Sequence, residues 1–344
     1  MSAELNTDEL IPDQPTNTAP LVVVAGPTGS GKSSLAMTLA LEFGGEIISC
    51  DSVAVYREFE IGTAKPSRED RERVPHHLID VVAPDAWFTA GEYARRARAV
   101  AAEIAARGRL GIVCGGSGLY LRAMLEGLAG APERDERLRR RLRGRRRPAA
   151  LWRLLRQIDP ASALRIHPHD EPKLIRAIEV SAVGARPMSQ LLQEGRDAMR
   201  GYRVLRIGLS PPRAALYDRI DRRCARMFDE GLVEETRGLL ARYGPEVFAM
   251  RSLGYRQAAS HLRGECSIAQ AVASAQQGHR NYAKRQLTWF RNDWFRNDWF
   301  RVDSLHKDGP RRDAEMHWLE DFGETAAPGT AELLRNFLDQ PHSR

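Results

Sequence analysis

The 344-residue sequence predicts an α/β fold, a parallel sheet flanked by helices and carrying a helical insertion, and three observations predict it. An apolar run at 21–25 feeds into a glycine-rich loop of the form G-x-x-x-x-G-K-S, made of Gly26, Pro27, Thr28, Gly29, Ser30, Gly31, Lys32 and Ser33. Short apolar runs then alternate with amphipathic helical stretches as far as Gly127, the pattern of parallel strands joined by crossover helices. From about residue 132 to 200 the strand signal stops and charged helical sequence replaces it, before an apolar run returns at 204–209. The core is of the P-loop NTPase-like kind, formed by 21–131 and 201–320, with 132–200 as the insertion.

Taken in order, residues 1–20 are polar and acidic, without the basic start and apolar centre of a signal peptide, and read as a disordered tail. The β-branched run at 21–25 is a strand, and Leu35, Leu39 and Phe43 give the next segment, 32–43, a helical period. Further strands are expected at 46–49, 77–82 and 110–114. Helices are expected at 90–107, stopped by Gly108, and at 117–126. After the insertion, helices are expected at 212–230, 233–243 and 267–290, and 321–344 reads as a tail or helix. The unit Trp289-Phe-Arg-Asn-Asp293 repeats at 294–298 and begins again at Trp299. Its five-residue period scatters the aromatics around a helix, which favours a duplication that lengthens a loop over a base-stacking device.

With 42% hydrophobic and 28% charged residues, and no apolar stretch long enough to cross a bilayer, the composition excludes a membrane protein. Four cysteines, Cys50, Cys114, Cys224 and Cys266, stand far apart with no C-x-x-C pair. Neither a zinc site nor a disulfide framework is expected, and a reducing cytoplasm fits. The net charge of +7 favours a polyanionic partner. It is concentrated at Arg134, Arg137, Arg139, Arg140, Arg141, Arg143, Arg145, Arg146, Arg147, Arg153 and Arg156. A helix of that composition is either a phosphate-backbone footprint or a solvated face.

The chemistry starts at the glycine-rich loop. Its glycines let successive backbone N–H groups turn inward, and the helix that follows adds its positive end, so the loop holds an anion. Lys32 would reach an outer phosphate, and the Ser33 hydroxyl would complete the coordination of a magnesium ion. The loop alone leaves open whether the ligand is a nucleotide. Asp51 follows the second strand at the carboxyl edge of the sheet, where ligands of open α/β sheets bind. It can serve as a base or can cap the turn that follows. The fourth strand runs into Gly115-Gly-Ser-Gly-Leu-Tyr120, where Ser117 presents a hydroxyl at a helix start, either to a ligand or as an ordinary cap.

These segments, together with Asp51-Ser-Val-Ala-Val-Tyr56, Ile61-Gly-Thr-Ala-Lys-Pro66, Pro75-His-His-Leu-Ile-Asp80, Arg251-Ser-Leu-Gly-Tyr-Arg256 and Ala283-Lys-Arg-Gln-Leu-Thr-Trp289, resemble the tRNA dimethylallyltransferase family in order and spacing. The resemblance runs from about Leu21 to Trp289. It implies that the loop holds the diphosphate of dimethylallyl diphosphate, not ATP, and that the enzyme prenylates N6 of adenosine 37, just 3′ of the anticodon. It further implies Asp51 as general base and Ser117, where many members have threonine, as a hydrogen-bonding partner of the diphosphate or the amine. Lys32, Ser33 with magnesium, and Arg223 would neutralise the departing diphosphate. The stretches implied to contact tRNA are Asp51, Ser52, Val53 and Ala54; Pro172, Lys173, Leu174, Ile175 and Arg176; and Arg251, Ser252, Leu253, Gly254, Tyr255 and Arg256. Ser117 and Arg139 are implied as further contacts, and the insertion as the part that grips the anticodon stem-loop.

The reaction's own demands agree. Displacing an allylic diphosphate builds negative charge on the leaving group, which the loop can stabilise. The adenine amine is a poor nucleophile, so a carboxylate that takes its proton helps. A small-molecule kinase would need a lid with paired arginines, and a purely RNA-binding protein would not need the loop. An adenylate isopentenyltransferase acting on free AMP would not need a large arginine-rich insertion. A monomer is the expected state.

Overall fold

The computed structural model describes residues 18–145, 147–194, 196–293 and 316–340. Six strands form one sheet, β1 (Ala19–Ala25), β2 (Gly45–Cys50), β3 (His76–His77), β4 (Leu110–Gly115), β5 (Tyr202–Leu209) and β6 (Met316–Leu319). Their order is β3-β2-β4-β1-β5-β6 and every pairing is parallel. Central β1 shows why its apolar run is unbroken. Leu21, Val23 and Ala25 face one hydrophobic cluster while Val22 and Val24 face another, so both sides of the strand are buried.

Helices α1 (Lys32–Phe43), α2 (Arg68–Arg73), α3 (Ala90–Ala106) and α4 (Gly118–Leu125) precede the insertion. The insertion contributes α5 (Glu136–Arg145), α6 (Pro148–Ile158), α7 (Pro160–Arg165), α8 (Glu171–Val183) and α9 (Met188–Leu191). It packs around its own apolar cluster, with Leu151, Leu155, Leu174 and Ile175 at its centre. After β5 come α10 (Arg213–Asp229), α11 (Leu232–Tyr243), α12 (Tyr255–Leu262), α13 (Ile268–Thr288) and α14 (Gly323–Asp339), with a π-helical turn at Trp289–Asp293 ending α13. Among the described residues no helix is long and apolar enough to cross a membrane.

Two elements differ from expectation. The strand expected at 77–82 is two residues long, because Leu78 (φ 62°) and Asp80 (φ 57°) turn left-handed and break the extended run. Asp80 is held there by Lys65 and Arg71, and Val82 then forms an isolated parallel bridge with Tyr56, outside the strands of the sheet. The second difference is β6, which pairs with β5; α14, in the stretch expected as a tail or helix, packs on α1 against the face holding Val22 and Val24. Strand β6, Met316-His-Trp-Leu319, is four residues long, too short for its apolar residues to show a strand period. The expected tail at 1–20 lies outside the described residues through 17, as does the tandem repeat beyond 293, but Ala19 and Pro20 pair with β5 and so belong to β1 and not to the tail.

Candidate active site

The carboxyl ends of β1, β2 and β4 open onto a cavity of about 520 Å³. The phosphate loop closes one end, with Thr28, Gly29, Gly31, Lys32 and Ser33 in its wall, while Asp51, Ser52, Val53 and Ala54 line it after β2. Gly115 and Gly116 enter after β4, Arg219 and Arg223 from α10, and His279, Tyr282, Arg285 and Gln286 from α13. Beyond Asp51 the wall continues to Arg251, Ser252, Leu253 and Arg256.

The phosphate loop is braced from several sides. The Lys32 ammonium donates to the Pro27 carbonyl at 2.7 Å, and burial lowers its pKa to about 8 against the opposing pull of Cys114 and Asp51. Arg223 donates to Thr28 Oγ1 at 2.5 Å. Its Nε is closed off from solvent with no partner, and burial lowers its pKa. Gln286 joins the two glycine loops, accepting from Thr28 N–H at 2.8 Å and donating to the Gly116 carbonyl at 3.0 Å. A Cβ at Gly116 would lie 2.1 Å from Gln286 Nε2, so only glycine admits this bridge. Behind the loop, Gly323 N–H at the start of α14 donates to Ser30 O at 2.9 Å. Glu324 accepts there from Arg219 and from Ser34.

Asp51 caps the turn that follows it and also lines the cavity. Its Oδ1 accepts from Val53 N–H at 2.8 Å and Ala54 N–H at 3.2 Å, which fixes the turn and holds the carboxylate in the cavity wall. Ser117 stands at the N-cap of α4 without capping it. Its hydroxyl accepts instead from Ser52 N–H at 3.1 Å and meets Tyr282, whose own hydroxyl burial pushes up to about 12. Lys32, several arginines, a carboxylate and the glycine-rich backbone therefore line one space, a set that can bind a diphosphate and take a proton.

A family model described as IPP transferase matches residues 54–293. The chain belongs to the IPP transferase family. It is 57% identical over 310 residues to the tRNA dimethylallyltransferase of Koribacter versatilis (strain Ellin345), covering 89% of this chain and 94% of that one. The corresponding enzyme of Solibacter usitatus (strain Ellin6076) is 50% identical over 324 residues, covering 92% and 99%. The crystal structure of a tRNA isopentenylpyrophosphate transferase from Bacillus halodurans superposes with a TM-score of 0.63 at 33% identity, covering 93% and 95%. A eukaryotic dimethylallyltransferase acting on tRNA shares the fold, with a TM-score of 0.78 at 22% identity over 95% and 81%.

For this IPP transferase the structure separates the stretches that the resemblance assigned to tRNA. Arg251, Ser252, Leu253 and Arg256 line the cavity. Tyr255 does not. It is buried against Phe59, and its hydroxyl donates to Glu235 and accepts from Gly62 N–H. Gly254, at φ 89°, is buried at the start of α12. In the insertion, Leu174 and Ile175 belong to the apolar cluster, so from 172–176 only Pro172 and Lys173 are exposed and Arg176 is half-buried. Arg139 also turns inward, donating to both oxygens of fully buried Glu179 at 2.7 Å, and Arg176 donates to the same carboxylate at 2.6 Å. The exposed part of the basic stripe is Arg137, Arg140, Arg141, Arg143, Arg147, Arg153 and Arg156.

His279, Tyr282 and Gln286 were missed at the level of sequence. Their spacing of three and four residues puts them on one face of α13, the face that looks into the cavity. Polar side chains at core-face spacing were the available signal. His279 is 7% exposed, neither ring nitrogen has a partner, and burial with Arg223 and Arg256 nearby brings its pKa to about 3.

Proposed function

We propose that this enzyme transfers a dimethylallyl group from dimethylallyl diphosphate to N6 of adenosine 37 in tRNA, releasing diphosphate. One observation carries the reading. A single cavity is lined by the phosphate loop, by Asp51, and by Arg251, Ser252 and Arg256. The donor's diphosphate lies on the loop amides with Lys32 and Arg223, both of which line the cavity. The adenosine enters from the opposite side, extruded from the anticodon loop as bases under modification are.

In the transfer, N6 attacks the allylic carbon while the carbon–oxygen bond to diphosphate breaks and its electron pair stays on the diphosphate oxygen. Asp51 takes the N6 proton, and Lys32 and Arg223 hold the charge that grows on the leaving group. Ser117, tied to Ser52 and Tyr282, positions the segment that carries Asp51.

The donor set fits a magnesium ion bound largely through substrate. Ser33 is exposed to the cavity, and among the described residues no cluster of three or more His, Cys, Asp or Glu could hold a metal unaided. Magnesium keeps several waters and takes phosphate oxygens, so one or two protein oxygens suffice. Ser33 would hold the ion, which when bound neutralises charge on the diphosphate. Every residue given a role here comes from one chain, in keeping with a monomer, and a tRNA substrate is in keeping with a cytoplasmic location.

The test is transfer from labelled dimethylallyl diphosphate, with magnesium, to an anticodon stem-loop carrying adenosine 37, to the same stem-loop with guanosine there, and to free AMP. Product is expected on the first RNA alone. Transfer to AMP and not to the stem-loop would overturn the tRNA reading.

A further inference from the structure

We propose that Trp87 and Phe248 form a stacking platform, at the mouth of the cavity, for the RNA base that neighbours the adenosine drawn inside. The proposal rests on the tRNA reading above. The two rings lie 5.7 Å apart, tilted by 49°, and remain 47% and 42% exposed. They arrive from distant parts of the chain, Trp87 from the loop before α3 and Phe248 from the turn before α12. A third segment joins them, because Arg134, at the start of the insertion, places its guanidinium carbon 3.9 Å from the Trp87 ring centroid. Phe248 also lines the cavity, so the patch is continuous with the site.

The local sequence holds Trp87 outward. Its neighbour Phe88 is buried against Tyr120, and Thr89 caps α3 by accepting from Glu92 N–H. Phe248 is placed likewise, between buried Val247 and buried Ala249. Folding alone gives no reason to expose two large aromatic rings side by side. A protein partner is disfavoured, since a stable protein interface needs far more apolar surface than two rings provide. Aromatic faces beside a guanidinium are instead the surface on which single-stranded bases stack. Exposed arginines of α5 lie further along the insertion to meet the phosphates. Base extrusion supplies the occupant. Pulling one adenosine into the cavity strips a stacking partner from the base beside it, and an aromatic ring at the mouth can replace that partner.

The test compares Trp87→Ala, Phe248→Ala and the conservative Trp87→Phe on two stem-loops, one intact and one abasic at the position next to adenosine 37. Wild-type protein is expected to bind the abasic RNA about tenfold more weakly than the intact one. Each alanine variant should lose about tenfold on intact RNA and nothing further on abasic RNA, and Trp87→Ala, which lies outside the cavity lining, should leave donor affinity and kcat at saturating RNA unchanged. Trp87→Phe should keep most of the affinity. Equal losses on both RNAs, or variants that match wild type on both, would overturn the platform while leaving the function reading intact. Failure of wild-type protein to bind or prenylate the intact stem-loop would sink both.

Discussion

Lys32 holds its ammonium on the Pro27 carbonyl, and burial lowers its pKa from 10.5 to about 8. Between those values the unfolded chain binds more protons than the folded one, so this group makes the free protein more stable as pH rises from 8 to 10.5. Anion binding has the opposite sign, because a diphosphate requires the charged form. Calorimetry with inorganic diphosphate should show affinity falling as pH rises through 8, approaching tenfold per unit, with Lys32→Arg as the control for titration of the ligand itself. Identical profiles for the two proteins would refute the assignment. Asp51 poses a different problem, since its Oδ1 also fixes the turn through Val53 and Ala54. Asp51→Asn keeps an acceptor for that turn and removes the base. It should lower kcat by about a hundredfold with stem-loop binding retained, measured by single-turnover transfer and filter binding. Undiminished turnover would reject Asp51 as the base.

The insertion is held as an element by a charge cluster within its own core. Fully buried Glu179 accepts from Arg139, Arg176 and the Asp135 N–H, and despite the cost of burial these partners bring its pKa to about 2. A carboxylate depressed from 4.5 to about 2 contributes stability above pH 4.5 that is lost as pH falls toward 2. Glu179→Gln removes the negative charge that pairs with Arg139 and Arg176. It should destabilise the insertion by about 3–5 kcal/mol, read by denaturant unfolding, while diphosphate binding in the sheet core changes little. A loss of diphosphate affinity as large as that of Lys32→Met would show that the two parts are not separable in this way. At the other edge, β6 and α14 close the back of the phosphate loop through Gly323 and Glu324. The C-terminal segment is therefore part of the binding element.

Across the whole molecule, the exposed arginines of α5 and α6 form a basic surface on the insertion, apart from the diphosphate end of the cavity. Removing one arginine that neutralises an RNA phosphate should reduce the slope of log affinity against log salt by about 0.7–0.9. Replacing Arg140, Arg141 and Arg143 together with alanine should flatten that slope for stem-loop binding and leave donor affinity unchanged. Arg139 is excluded from the set because its guanidinium serves Glu179. An unaltered slope would return the stripe to a solvated helix face.

Local pattern was enough to read the strand at 21–25, the phosphate loop, the helix beginning at Lys32 and the helical character of the insertion. In each case the signal lies in neighbouring residues, as an unbroken apolar run, a glycine spacing or a helical period. The order of segments from Gly26 to Trp289 also carried the family. Other features depended on the meeting of residues far apart in the chain. Strand β6 is too short for its apolar residues to fix a period, and it forms along the edge that β5 offers. Arginine reads alike whether it faces RNA or a carboxylate, so only packing showed that Arg139 turns to Glu179 forty residues away. Gln286 bridges to Thr28 across 258 positions, and Trp87, Arg134 and Phe248 meet from three separate segments. Sequence determined which elements form and what chemistry the loop can do. Tertiary structure decided which side chains share a space, because that depends on how the elements pack and not on the residues beside them.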